Sequence, residues 1–261
     1  MNKLVSIIEE TNISHAWARA FAIAMDEPKG KIIPLVIVIS DFKNSEVNED
    51  SKIRELLDNS LETSGAQSIH TVANTIFPIS LWNPQKSRQT LFDRHEKCWP
   101  RIKKCPANNR GHYFHRFVAY EKDSGQPTVN QLEEIINTWN NTKFKRRSAL
   151  QLSVFDPRKD HVNQPYQRFP CLHQVCFTPK GSNGEDGLIA TGFYANQYLY
   201  KRAYGNYLGL CRLGKFVAHE IGLELTQMVC YSAIATLDDG LRKKDLRSLN
   251  DQLKAIIAVK D

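Results

Sequence analysis

Eight consecutive apolar residues, Ile32-Ile33-Pro34-Leu35-Val36-Ile37-Val38-Ile39, constrain this chain more than any other segment. The run is short, nearly all β-branched, and follows the stop signal Glu27-Pro28-Lys29-Gly30, so it reads as a buried strand. Helical spacing flanks it on both sides. Ile13 to Met25 carries apolar groups one turn apart behind Ser14 as a cap candidate, and Asp50 to Thr63 repeats an amphipathic pattern. A buried strand set between helices predicts an α/β chain.

The remaining segments extend that reading. A second helix is expected from near Ser68, a loop over Pro78 to Thr90 with Asn83-Pro84 turn chemistry, and a strongly basic loop over Arg101 to Arg110. Val129 to Thr138 predicts a helix. Ser148 to Phe155, Gln174 to Thr178, Leu188 to Tyr194 and Met228 to Ile234 predict strands, with a glycine-rich hairpin connection over residues 179–187. Leu208 to Ile221 and Leu246 to Val259 predict the last helices. No internal repeat or low-complexity segment is evident.

Composition narrows the functional classes. With 261 residues and 41% hydrophobic content the chain can bury one large core, so a single domain is expected. No run approaches the roughly 20 apolar residues of a membrane helix. The start Met1-Asn2-Lys3-Leu4-Val5 runs into polar Glu9-Glu10, without a secretory signal pattern, so a cytoplasmic protein is expected. The six cysteines then read as free thiols, and their spacing fits no zinc site. A net charge of +7 favours anionic partners: nucleotides, folate-like polyanions or nucleic acid.

From residue 128 onward the chain resembles the thymidylate synthase family of pyrimidine C5 transferases. Asn130-Gln131-Leu132-Glu133-Glu134 is similar to that family's Asp-Gln-led helix, followed at family-like spacing by Lys145-Arg146-Arg147. Phe155-Asp156-Pro157 resembles Trp-Asn-Pro, and Phe169-Pro170-Cys171 resembles Pro-Pro-Cys-His, with Leu172 in place of the His. Asn206 precedes Leu223-Glu224 at the family's ungapped distance. The resemblance covers roughly residues 128–235. It implies a thymidylate synthase-like α+β fold with a mixed β-sheet flanked by helices, and a homodimer.

The implied chemistry assigns roles. Cys171 would be the thiolate that adds to C6 of a pyrimidine nucleotide, activating C5 for one-carbon transfer from 5,10-methylenetetrahydrofolate. Its bland alternative is an inert buried thiol. Guanidinium groups lower a thiol pKa, and Arg168, Arg146 and Arg147 are the nearest in sequence. The resemblance also gives Arg146 and Arg147 to the substrate phosphate of a neighbouring subunit, although a dibasic turn is an ordinary solvated feature. Asn206 would read the base through its amide, or merely cap a helix. Tyr113 would handle a proton, or fill the core, and Arg116 stands where the family places a nearby Arg.

Departures are as informative. Thr71 stands near the position of the family's proton-managing Glu, and a hydroxyl cannot replace a carboxylate there. The family's phosphate-binding Arg is missing from Tyr194-Ala195-Asn196-Gln197-Tyr198, with Lys201 and Arg202 a turn or two onward. Its sugar-binding element becomes Ser232-Ala233-Ile234-Ala235-Thr236. Three functions therefore remain open: a folate-dependent pyrimidine transferase, a nucleotide-sensing protein that kept the pocket, and a nucleic-acid binder using the basic stretches. A cysteine hydrolase pairing Cys171 with His173 or His219 lacks an orienting third group.

Overall fold

The computed structural model describes residues 5–108, 111–121, 128–142, 145–161, 163, 169–181, 184–238 and 242–258. In chain order it contains β1 (Ser6–Glu10), α1 (Ile13–Asp26), β2 (Lys31–Ile32), β3 (Leu35–Ser40), α2 (Ser51–Thr63), α3 (Ile69–Ile76) and α4 (Gln89–Lys103). Next come α5 (Tyr113–Val118), β4 (Tyr120–Glu121), β5 (Thr128–Val129), α6 (Gln131–Asn141), β6 (Gln151–Ser153) and α7 (Pro157–Asp160). The chain continues with β7 (Leu172–Pro179), β8 (Leu188–Tyr198), α8 (Tyr204–Glu220), β9 (Leu225–Thr236) and α9 (Lys243–Ala258).

Among the described residues one seven-stranded sheet runs β1-β3-β9-β8-β7-β6, with β2 also paired to β9. It is mixed: β1/β3 and β8/β9 are parallel, while β3/β9, β7/β8 and β6/β7 are antiparallel. Each parallel pair is joined across a helix, α1 or α8, because parallel neighbours need a crossover connection. The α/β fold expected from the sequence is therefore present.

The strand Leu35–Ser40 alternates strictly, with Leu35, Ile37 and Ile39 buried. That face packs beneath α1 and α8, where Trp17, Phe21 and Phe216 are fully buried. Each such ring contributes roughly 2 kcal/mol through area removed from water. The opposite face carries a transverse row, Ile7-Val36-Tyr231-Phe193, set by the strand register. Ile7 is 57% and Phe193 41% exposed, and the Phe193 and Tyr231 rings stack at 5.0 Å.

Helix α8 lies close against α3 because two of its residues lack side chains. A Cβ on Gly205 would stand 2.6 Å from the Val72 Cβ, and one on Gly209 would stand 2.9 Å from the Ala73 carbonyl oxygen. Just before α8, Leu199–Ala203 forms a π-helical turn, and buried Asp238 accepts the Tyr200 and Lys201 amides at 3.1 Å. Such turns hold one residue more than an α-turn and redirect side chains.

Several boundaries differ from the sequence reading. The cap of α1 is Asn12, which accepts from the Ser14 and His15 amides, while Ser14 is buried against Tyr204 at 2.7 Å. Residues 89–103 form a helix where a loop was expected at each end, since Leu91, Phe92 and His95 bury a narrow stripe despite the interior Pro100. The strand expected over 148–155 shrinks to Gln151–Ser153 behind a 3-10 turn at Arg147–Ala149. β8 and β9 run longer than expected, and α8 starts at Tyr204.

Candidate functional site

The site forms where the carboxyl end of β8 and the opening of α8 meet the segment leading into β7. Phe169, Pro170 and Cys171 precede β7, and the Cys171 carbonyl accepts the Ala195 amide at 3.0 Å, which ties the cysteine to β8. A cavity of about 590 Å³ opens there, walled by Cys171, Tyr113, Phe169, Gln197, Arg202 and Asn206. Its size suits a ligand of nucleotide dimensions. Among the described lining residues Arg202 is the sole cation, and no Asp or Glu takes part.

Burial pushes the Cys171 thiol above its ordinary value, and Arg202 pulls it back down. Among the described residues the guanidinium acting on the thiol is that of Arg202, not one of the sequence candidates Arg146 and Arg147. Arg146 and Arg147 are exposed at the 3-10 turn away from the cavity lining, and Arg147 donates to the Gly181 carbonyl. Arg168 lies outside the described residues. The π-helical turn is what brings Arg202 inward, and there its guanidinium donates to the neutral Gln67 side chain.

Asn206 is 6% exposed, lines the cavity and has no hydrogen-bond partner among the described residues. It occupies the third position of α8, whose preceding residue is Ala203, so it does not cap the helix. A buried amide without a protein partner is one that a ligand can satisfy. Beside it Gln197 is fixed by two hydroxyls: Tyr207 and Ser232 each donate to its Oε1 at 3.0 Å.

Tyr113 forms one wall. The Leu172 amide donates to its hydroxyl at 3.5 Å, and burial raises its pKa, with Cys171 adding to the rise. Its ring lies 5.1 Å from Phe169, and the Arg116 guanidinium covers Phe169 at 4.9 Å. Arg116 itself makes a bidentate pair with Asp160, at 2.5 and 2.8 Å. This arginine is committed to an internal carboxylate and faces a second chamber rather than the cysteine. Thr71 sits exposed on α3, bonded to Ser68, outside the cavity lining, whereas Val72 and Thr75 line it.

The second chamber, about 250 Å³, shares Asn108, Gly111 and His112 with the first. Trp99, Tyr120 and Lys103 lie along it, and Trp99 stacks on His115 at 3.6 Å. His112 is pushed down to about 3 by burial and by the neighbouring His95 and His115, which are themselves held at about 4. All three have imidazole nitrogens buried without a partner among the described residues. No group of three or more side chains able to hold a metal ion is present among the described residues.

Sequence reasoning chose Cys171, Tyr113 and Asn206, which the fold brings to one cavity. It passed over Gln197, weighed His173 only as the partner of a cysteine hydrolase, and named Arg202 only as a neighbour. The available signal for Arg202 was its closeness to the missing family arginine. Gln197 gave none, because its partners Tyr207 and Ser232 come from other elements.

No protein-family model matches the chain. A Methanopyrus kandleri protein named "Putative thymidylate synthase" is 32% identical over 123 residues, covering 47% of this chain and 52% of that protein. The chain thus matches about half the length of this curated relative, a remote relationship to a protein of that name.

Proposed function

We propose that the chain binds a pyrimidine nucleotide in the larger cavity and transfers a one-carbon unit to C5 of its base through a covalent Cys171 adduct. The observation that carries this reading is the convergence of Cys171, Asn206 and Arg202 on one cavity free of described carboxylates. Sulfur adds to C6, the Asn206 amide meets the polar edge of the base, and the guanidinium attracts the anionic portion. The name of the Methanopyrus kandleri relative points the same way.

A reduced folate would supply the one-carbon unit when bound. The second chamber would take only part of such a molecule: Trp99 and Tyr120 offer ring faces and Lys103 a cation, beside the carboxylates of Glu121 and Asp156. The row Ile7-Val36-Tyr231-Phe193, exposed at Ile7 and Phe193 and half-buried between, fits a homodimer packed face to face across the sheet, the arrangement in which Arg146 and Arg147 would serve a partner's substrate. A cytoplasmic setting accords with six free cysteines.

The deciding experiment is incubation with a 5-fluoro-pyrimidine nucleotide and methylene-folate, followed by intact mass. A covalent adduct in the wild type that is lost in Cys171→Ala supports the transferase. A nucleotide-binding protein without turnover is the second reading, favoured by the lack of any described carboxylate in the cavity. It is supported instead when nucleotide raises the melting temperature of both proteins and no adduct forms.

A further inference from the structure

The cavity poses a proton problem. Its sulfur is protonated at neutral pH because burial raises the thiol, and no described Asp or Glu lines the space to take the proton away. Tyr113 is held protonated, since its hydroxyl is pushed up as well. Arg202 cannot accept a proton. Two imidazoles remain, His112 and His173, and both line the cavity. His112 is bound into the packed group with His95 and His115, with its Nδ1 buried and unpartnered among the described residues.

His173 is placed differently. β7 carries an irregularity at this point: Leu172 pairs with Tyr194 and Gln174 with Phe193, so His173 is the extra residue of a bulge. Leu172 and Val175 are both buried, and the two residues between them turn to the opposite face. The bulge therefore sets His173 on the cavity side two residues after Cys171. Its ring leans on Phe155 at 4.8 Å and on Phe193 at 6.2 Å. The Pro170 carbonyl favours the protonated ring, and a neutral imidazole keeps one nitrogen able to accept.

We infer that His173 is the proton-accepting partner of Cys171, an inference that rests on the larger cavity being the reactive site. The thiol proton passes to the free nitrogen of the imidazole. The sulfur electron pair forms the bond to C6 of the ring, the C5=C6 π pair becomes C4=C5, and the C4=O4 π pair moves onto O4 as an enolate beside Asn206. On elimination the proton returns to sulfur. Burial lowers the His173 pKa, against the field of Asp160 on α7 and the Pro170 carbonyl, so the ring is neutral and able to accept. The other titratable groups around it are Cys171, Tyr113 on α5, Arg202 from the π-helical turn, His161 against Phe155, and Tyr231 behind Phe193.

The test needs no nucleotide, so its failure is separate from a failure of the transferase reading. The rate of iodoacetamide labelling at Cys171 is followed by peptide mass spectrometry from pH 5.5 to 9.5 in wild type and His173→Gln. Labelling of Cys176, on the same strand, is the internal control for an intact fold. The wild type should show a shoulder of reactivity below the main thiol titration, and His173→Gln should lose it, labelling about tenfold slower at pH 7. Superimposable profiles overturn the inference. Should the variant fail to fold, the His173 ring is titrated by NMR in wild type and Cys171→Ala. A higher His173 pKa without the sulfur supports the pairing, because the thiol's hydrogen bond favours the neutral ring, and an unchanged or lower one overturns it.

Discussion

The Arg202 guanidinium is the charge that lowers the Cys171 thiol, and it reaches the sulfur from a different element, the π-helical turn ahead of α8. Its recorded side-chain partner is the uncharged Gln67, so its positive charge stays available to the cavity. Arg202→Met should therefore do two things at once. Cys171 labelling at pH 7 slows, and the thermal stabilisation by a nucleotide monophosphate, about 2.7 kcal/mol at a hundredfold excess over Kd, disappears. Differential scanning fluorimetry with and without nucleotide checks the second effect.

Asn206 offers its amide to the cavity without a hydrogen-bond partner among the described residues. Asn206→Ala should leave the melting temperature of the free protein nearly unchanged and weaken nucleotide binding by about 1 kcal/mol, the net value of an ordinary hydrogen bond. Isothermal titration with uridine and cytidine nucleotides reads this directly. Asn206→Asp should shift preference toward the cytosine base, whose exocyclic amine donates to a carboxylate.

Arg116 and Asp160 form a largely buried bidentate pair, and Asp160 also accepts the Asp156 amide at 2.7 Å. Removing one partner leaves the other charge uncompensated. Asp160→Ala should cost about 3 kcal/mol of folding stability, measured by urea denaturation. The Phe169 ring that Arg116 covers borders the cavity, so nucleotide binding should weaken with it.

The buried imidazoles of His95 and His112 and the half-buried one of His115 make stability pH-dependent. His95, His112 and His115 hold pKa values of about 4, about 3 and about 4, below the ordinary value of 6.5, chiefly because burial disfavours the charged ring. Unfolding lets each take up a proton, so their contribution is complete above pH 6.5 and drains as pH falls toward 4. Each unit of depression is worth about 1.4 kcal/mol. Urea midpoints at pH 7, 6, 5 and 4.5 should fall steadily, and less steeply in His95→Leu.

Elements with local signals were legible from the sequence. β3 alternates cleanly, and α2, α3 and α6 begin at Asp50, Ser68 and Asn130, each of which accepts backbone amides in the first turn. α4 was hidden by its charge, its narrow stripe and Pro100. β1 escaped notice because Ser6–Glu10 gains its definition from pairing with β3 rather than from its own pattern. The candidate site divides the same way. Cys171 carries a recognisable neighbourhood, while Arg202, Gln197 and His173 owe their positions to a π-helical turn, two distant hydroxyls and a bulge, none of which periodicity encodes.

A π-helical turn differs from an ordinary one by a single residue, and each residue of a helix rotates the next side chain by about 100°. Excising one position from Leu199–Ala203 would relax the turn and swing the guanidinium off its bearing toward the sulfur, with sheet and helices otherwise preserved. The electrostatics of this pocket thus hang on one codon's worth of backbone.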